Sequence, residues 1–384
     1  MKRVTGVLLM LGAAIVMLTG AQGASAAEAK TVEISGRAFI FNHMSTGISN
    51  ATIKVREFPA LSTTTNELGD YVLKVPDDAN VTPYIESGGP AVLTKRDRDT
   101  GEPTGTMTAH WNEIDLQTFH TRGEDIENAN FQAPRDEEYN GLKALLSVPS
   151  AENGRPEQCV IVTTSSARNV RDVDFRTYWI NTPHGVEGAT SAGFPSIGDP
   201  VYFNDYVIPD RTKTSSSHDG GIIWPVVPTG TYRIVTSHPD TRFASFLATC
   251  APGRVVNANP PMGAYQLDPG EEPRTFSNVA AKLDSAKAVR KSKTRRQLNV
   301  VLKSGEAINS VVTVKAGTKA LTRTPKLVPG TKKLVFNFGA KVRAKQAKVT
   351  VKLTDASGVS FTSVKKVNLP KVIKKKPKKK SGRR

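Results

Sequence analysis

The chain has 384 residues, two of them Cys, with 53 Lys and Arg against 35 Asp and Glu and a formal net charge of +18. Two cysteines are too few to build a thiolate metal centre, and beyond an apolar leader no stretch is long enough to span a bilayer. The charge is divided unevenly: residues 282–384 hold 30 Lys and Arg against three acids, Asp284, Glu306 and Asp355, leaving 23 basic and 32 acidic residues ahead of them. A body of net −9 therefore carries an appendage of net +27. Such a dipolar chain reaches anionic material with its basic end while its body stays soluble.

Residues 1–26 read as a signal peptide. Lys2 and Arg3 form a positive start, residues 7–18 an apolar run, and Ala24-Ser25-Ala26 a small-x-small cleavage pattern. The mature chain is thus expected to be exported, secreted or held at the cell surface. In an exported chain the isolated pair Cys159 and Cys250 reads as one disulfide, the alternative being two separate buried thiols. Closing a loop of that length stabilises by about 4–5 kcal/mol on the chain-entropy model.

Period-2 alternation punctuated by Gly, Pro, Asn and Asp runs through the mature chain and predicts an all-β protein of short strands. In residues 31–87, Val32 and Ile34 alternate with polar neighbours, Gly36 interrupts, and Phe39 and Phe41 continue. Asn66-Glu67-Leu68-Gly69-Asp70 is a turn in which Gly69 supplies a positive φ. Tyr71, Leu73 and Val75 then share one face before Pro76 ends the strand. The stretches ISGRAFIFNHMSTGISNATIKV and STTTNELGDYVLKVP resemble the carboxypeptidase regulatory-like domain. The matching positions are Gly36, Ala51, Val55, Thr64, Gly69, Tyr71, Leu73 and Val75. The resemblance implies a transthyretin-like (prealbumin-like) β-sandwich over residues 31–87.

Residues 88–150 are polar and charged, with Trp111, Ile114, Leu116 and Phe119 as apolar anchors. They are expected to pack on the sandwiches as a connecting segment, with a short helix near residues 139–146. Residues 151–265 repeat the earlier theme: TSSSHDGGIIWPVVPTGTYRIVTSHP again sets hydroxyl residues before a Gly turn and a strand ending at Pro. This resembles a second module of the same family, elaborated by an insertion over residues 196–211 and stapled by the disulfide.

Residues 266–297 read as a linker, its polar end helical or disordered. Residues 298–370 alternate cleanly through Val312 and Val314, Leu334, Phe336 and Phe338, then Val349, Val351 and Leu353, predicting a small basic immunoglobulin-like β-sandwich. The tail, residues 371–384, holds Lys371, Lys374, Lys375, Lys376, Lys378, Lys379, Lys380, Arg383 and Arg384 without an acid. It cannot bury a core and is expected to be disordered. Each Lys near an anionic surface contributes about 1 kcal/mol before screening. An anionic cell-envelope polymer or membrane surface is the expected partner. The tail has no aromatic, Asn or Gln residue to stack on or read bases, so sequence-specific nucleic-acid recognition is not indicated.

No catalytic signature of any strength is present, and no cofactor motif. His110-Trp111-Asn112-Glu113 matches the H-x-x-E spelling of zinc carboxypeptidases, but the chain lacks the βα alternation that would surround such a site. In an extended segment His110 and His120 take one face and Glu113 the other. Ser217-His218-Asp219 reads as a turn rather than a triad, whose members converge through the fold. The leading expectation is a non-catalytic surface scaffold or adhesion protein with a basic C-terminal contact region. Two rivals stand beside it. One is a metal-dependent protein using His110, Glu113 and His120. The other is a carbohydrate or small-ligand binder using Trp111, Trp179 or Trp224.

Overall fold

The computed structural model describes residues 30–181 and 184–373. The predicted signal peptide and all but the root of the tail lie outside the described residues. The chain is all-β, in several packed sheets, with two short α-helices and two 3-10 turns among the described residues.

The first module is built on the strand Thr31–Ile40. It pairs with Asp70–Pro76 in antiparallel register, Val32 opposite Val75 and Ile34 opposite Leu73, so the apolar alternation of both strands faces one core. Gly36 interrupts that alternation because the backbone of Ala129 crosses it: a Cβ there would stand 2.4 Å from the Ala129 carbonyl oxygen. Gly69 takes φ +87° in the turn before Tyr71.

A single sheet then runs through both modules. From one edge it passes through Val201–Phe203, Gly221–Val227, Cys159–Ser166 and Val255–Ala258. It crosses the two-residue strand Ile114–Asp115 and continues through Pro83–Ile85 and Thr52–Val55 of the first module. Asp115 pairs with Val256 on one side and Tyr84 on the other. One sheet thus joins the regions of the two predicted sandwiches, and the predicted connecting segment supplies the strand between them. The predicted insertion supplies Val201–Phe203, an integral strand of the same sheet.

Charge reinforces this seam. The Arg56 guanidinium lies 3.5 Å from the Tyr84 ring centroid and bonds both Glu113 and Asp115. Arg155, from the second module, donates to the Glu113 carboxylate at 2.8 and 2.9 Å.

The two faces of the sheet in the second module are covered differently. On one, the three-stranded sheet Thr190–Phe194, Gly230–Ser237 and Phe246–Cys250 packs Ile234 and Phe246 against Ile161, Trp224 and Ala258. The Cys159–Cys250 disulfide joins the two layers, with the Cα atoms 5.4 Å apart. On the other lies the helix α1, Asp136–Leu146, with Leu146 against Val160, Val201, Phe203 and Ile223. Asp136, Glu137 and Glu138 in its first turn complement the helix dipole. A second short helix, α2, Phe175–Ile180, flanks the same face.

The C-terminal sandwich has a three-stranded sheet, Ala281–Arg290, Arg296–Ser304 and Gly330–Phe338. It packs on a five-stranded sheet of Ile308–Ala316, Lys319–Arg323, Lys326–Leu327, Gln346–Thr354 and Ser360–Asn368. Val312, Val314, Phe336, Phe338, Val349, Val351 and Leu353 fill the space between them. The expected linker is replaced by structure. Ala281–Arg290 is a strand paired along its length with Arg296–Ser304, neither helical nor loose. Its inward residues include Ala281 and Ala286, small enough to hide the alternation from a sequence reading.

The sandwich is also pinned. Arg233, 1% exposed on the strand Gly230–Ser237, bonds Glu306 through two nitrogens, the Ser277 carbonyl at 2.7 Å and the Asn278 carbonyl at 3.1 Å. Asp355 stands 3.6 Å from the same guanidinium. Two of the three acids in the basic region thus serve as buried anchors to the body.

Candidate functional site

Strand direction gives the C-terminal sandwich two distinct ends. Ala281 pairs with Ser304 and Ser304 with Gly330, which sets these residues at the end nearest Arg233. Glu306 and Asp355 sit at that same end. At the far end lie the hairpin joining Arg290 to Arg296, the Gly317 turn and the loop 339–345. These segments carry Arg290, Lys291, Lys293, Arg343 and Lys345 and no acid.

The outer face of the five-stranded sheet continues this basic pole. Lys315 is directly opposite Lys348, and Lys348 is directly opposite Lys366. Three exposed lysines therefore form one row across three adjacent strands. Directly opposed residues in an antiparallel sheet have Cα atoms only about 4.5–5.5 Å apart, and like charges so placed cost stability. No strand of this sheet contains Asp or Glu. Toward the docking end, Lys352 pairs with Val311 and Thr362, still on the outer face.

The tail begins from the same pole. Leu369 N donates to the Lys345 carbonyl at 2.7 Å, Ile373 N to the Lys293 carbonyl at 2.9 Å, and Arg290 Nη2 to the Lys371 carbonyl at 3.1 Å. Of the predicted contact residues, Lys371 is placed here and exposed. Lys374, Lys375, Lys376, Lys378, Lys379, Lys380, Arg383 and Arg384 lie outside the described residues.

No family model matches the chain, and no curated protein matches it. Among solved structures, a catalytically inactive OgpA from Akkermansia muciniphila, in complex with an O-glycopeptide substrate, is 10% identical, covering 24% of this chain and 29% of that one at a TM-score of 0.19. This chain thus spans less than a third of that protein's length. BcpA, the major pilin subunit of Bacillus cereus, is 11% identical over 55% of this chain and 69% of its own, TM-score 0.17. A Ca2+-stabilised adhesin of an Antarctic bacterium is 10% identical over 89% and 75%, TM-score 0.18. Scores of this size assign neither family nor activity.

The sequence reading missed the row Lys315–Lys348–Lys366, although half of its signal was present. Lys348 and Lys366 lie symmetrically about Ser357, inside the Asp355-Ala356-Ser357-Gly358 turn, so that hairpin dictates their pairing. Lys315 comes from a non-adjacent hairpin and had no such marker.

The candidate metal residues are not brought together. His110 is exposed on the strand Pro103–Trp111. Burial alone would lift the Glu113 pKa; the Arg155 and Arg56 guanidiniums outweigh it and hold the carboxyl below its usual range. His120 is buried, its Nδ1 2.6 Å from Asn80 Oδ1, and burial holds its pKa down at about 4. Among the described residues no group of three or more His, Cys, Asp or Glu is placed to hold a metal ion. Of the three tryptophans, Trp111 and Trp224 are buried, with indole N–H groups donating to the Glu86 and Gly198 carbonyls. Trp179, on α2, is half-buried and lines a cleft.

Proposed function

We propose that the protein is an exported, non-catalytic scaffold of the cell surface or its surroundings. In this reading its body consists of carboxypeptidase regulatory-like, transthyretin-like modules. Its C-terminal sandwich holds a cationic pole against an anionic envelope polymer or membrane surface. The observation that carries the reading is the in-register row Lys315–Lys348–Lys366 on an acid-free sheet, beside the root of a Lys-rich tail. Repulsion within such a row is relieved when an anion lies along it. Anchoring of the opposite end through Glu306 and Asp355 keeps the basic end turned away from the acidic body.

The test is retention of the secreted protein on an anionic matrix as salt is raised. Release is expected as the Debye length shrinks below about 10 Å. Substituting Lys315, Lys348 and Lys366 together by Gln should shift release to lower salt, and truncation after Leu369 should shift it further. If both variants elute with the parent, the pole has no role in attachment.

A further inference from the structure

The face of the central sheet beneath α1 is only partly covered. An 11-residue helix cannot roof the strands Cys159–Ser166, Val255–Ala258, Gly221–Val227 and Val201–Phe203 together. A cleft of about 480 Å³ remains between the sheet, α1, α2 and the turn after Thr31–Ile40. That volume is in the range of sites for small organic molecules, which favour such junctions between modules.

The cleft is graded along the strands. At one end Val160 and Val255 pair to form an apolar floor, and Leu142 of α1 and Trp179 of α2 stand on the cleft's walls. Val162, flanked by Ile223 and Asn257, forms the middle row, and Thr164, Asn259 and Asp219 lie beyond it. Most of this polar chemistry is internally satisfied: Thr164 Oγ1 donates to Asn259 Oδ1 at 3.2 Å, and Gly221 N to Asp219 Oδ2 at 3.1 Å. Asn257 is different. It is 7% exposed, and its Nδ2 donates to the Gln132 carbonyl at 3.1 Å, which fixes the amide's orientation. Among the described residues no donor reaches its Oδ1. A buried acceptor left in this way costs stability, so its retention in a sheet otherwise rich in Val and Ile points to a partner outside the chain.

We infer that this cleft binds a small amphipathic molecule, its apolar body between the sheet and α1 and its hydroxyl or amine end donating to Asn257 Oδ1. The carboxylates of Asp219 and Asp205 also line the cleft, so an anionic end group is disfavoured; the His184 ring lines it too, its buried Nδ1 without a partner among the described residues. Among the described residues Lys143 is the one lysine or arginine on the wall; it is engaged by the Gly154 carbonyl and stands 4.9 Å from the Tyr139 ring centroid. The inference is independent of the cationic pole, which lies in another part of the molecule.

Three probes sharing one body test it on the full secreted chain: phenylbutanol, phenylbutylamine and phenylbutyrate. Binding is followed by calorimetry and by Trp emission. The alcohol and amine are expected to bind about tenfold or more tightly than the carboxylate, as a site with a buried acceptor discriminates against ends that cannot donate. Asn257→Leu should erase the preference for the alcohol over the carboxylate. Leu142→Trp, a half-buried helix position, should block all three by filling the cleft. Melting curves establish that both variants are folded. Equal binding of the carboxylate would overturn the inference. So would absence of binding by every probe, as when a segment of the chain itself occupies the cleft, or binding that neither variant changes.

Discussion

Between residues 27 and 281 the chain carries 15 Arg and 6 Lys; from residue 282 onward it carries 7 Arg and 23 Lys. The use of the charges differs as sharply as their kind. In the body, Arg37 meets Asp70, Arg56 and Arg155 share Glu113, and Arg171 meets Glu271. In the C-terminal sandwich, among the described residues beyond Lys282, no Lys or Arg stands within ion-pair distance of a carboxylate. Guanidinium is planar and forked, suited to fixed pairs that weld one element to another. Ammonium is a hydrated point charge on a flexible stem, suited to contacts that need no single geometry. One region spends its positive charge on folding; the other leaves most of it on the surface, the buried Arg296, bonded to the Val342, Ala344 and Pro370 carbonyls, being the exception among the described residues.

Two arginines of the body reach the sandwich, Arg122 at the Ala281 carbonyl and the Phe361 ring and Arg233 at the buried carboxylates, and the sharpest way to break this contrast is at Arg233. Arg233→Ala leaves Glu306 and Asp355 buried without their cation, a loss expected to cost about 3–5 kcal/mol. Calorimetry should then resolve separate transitions for body and sandwich. A single transition at the parent temperature would show that the buried pair does not couple them. Removing the disulfide with Cys159→Ser and Cys250→Ser should cost about 2–5 kcal/mol. In the Arg233→Ala background it should lower the body's transition alone.

Acid should separate the regions by another route, because all six His lie in the body. Burial holds His120 and His184 down at about 4 from an ordinary 6.5. As pH falls through that interval the unfolded chain takes up protons that the folded chain refuses. Stability contributed by each neutral ring is therefore present above about 6.5 and lost toward about 4, by up to about 3 kcal/mol per ring. Urea titrations at stepped pH should show the loss. Substituting His184 by Phe should flatten part of it if the ring is the cause. The smallest effect belongs to the lysine row: Lys348→Gln should stabilise the sandwich by about 0.2–1 kcal/mol at low salt, with the gain disappearing as salt rises.

Much of the architecture was legible where alternation was strong. Val349, Val351 and Leu353 were assigned to one face from sequence and are all buried. The disulfide was expected from an isolated pair of cysteines in a sequence read as exported, and the structure joins them. What escaped was either too short or too distant to leave a local mark. Ile114–Asp115 is two residues long, and two residues have no period. Ala281–Arg290 carries Ala where longer side chains would have announced a strand. Glu306 was visible only as a rare acid; its partner lies 73 residues earlier and is found through the fold. The same limit applies to the candidate site. The net charge of the region was plain, but its concentration at one end depends on strand direction, and the lysine row depends on register.

The polarity of the sandwich has a mechanical corollary. The chain enters it at Ala281, beside the body, and leaves it after Asn368 at the opposite end; the first and last strands run the same way. Tension between a tethered tail and the body would act along the strands, loading their ladder bonds in shear, all at once, instead of peeling them open one by one.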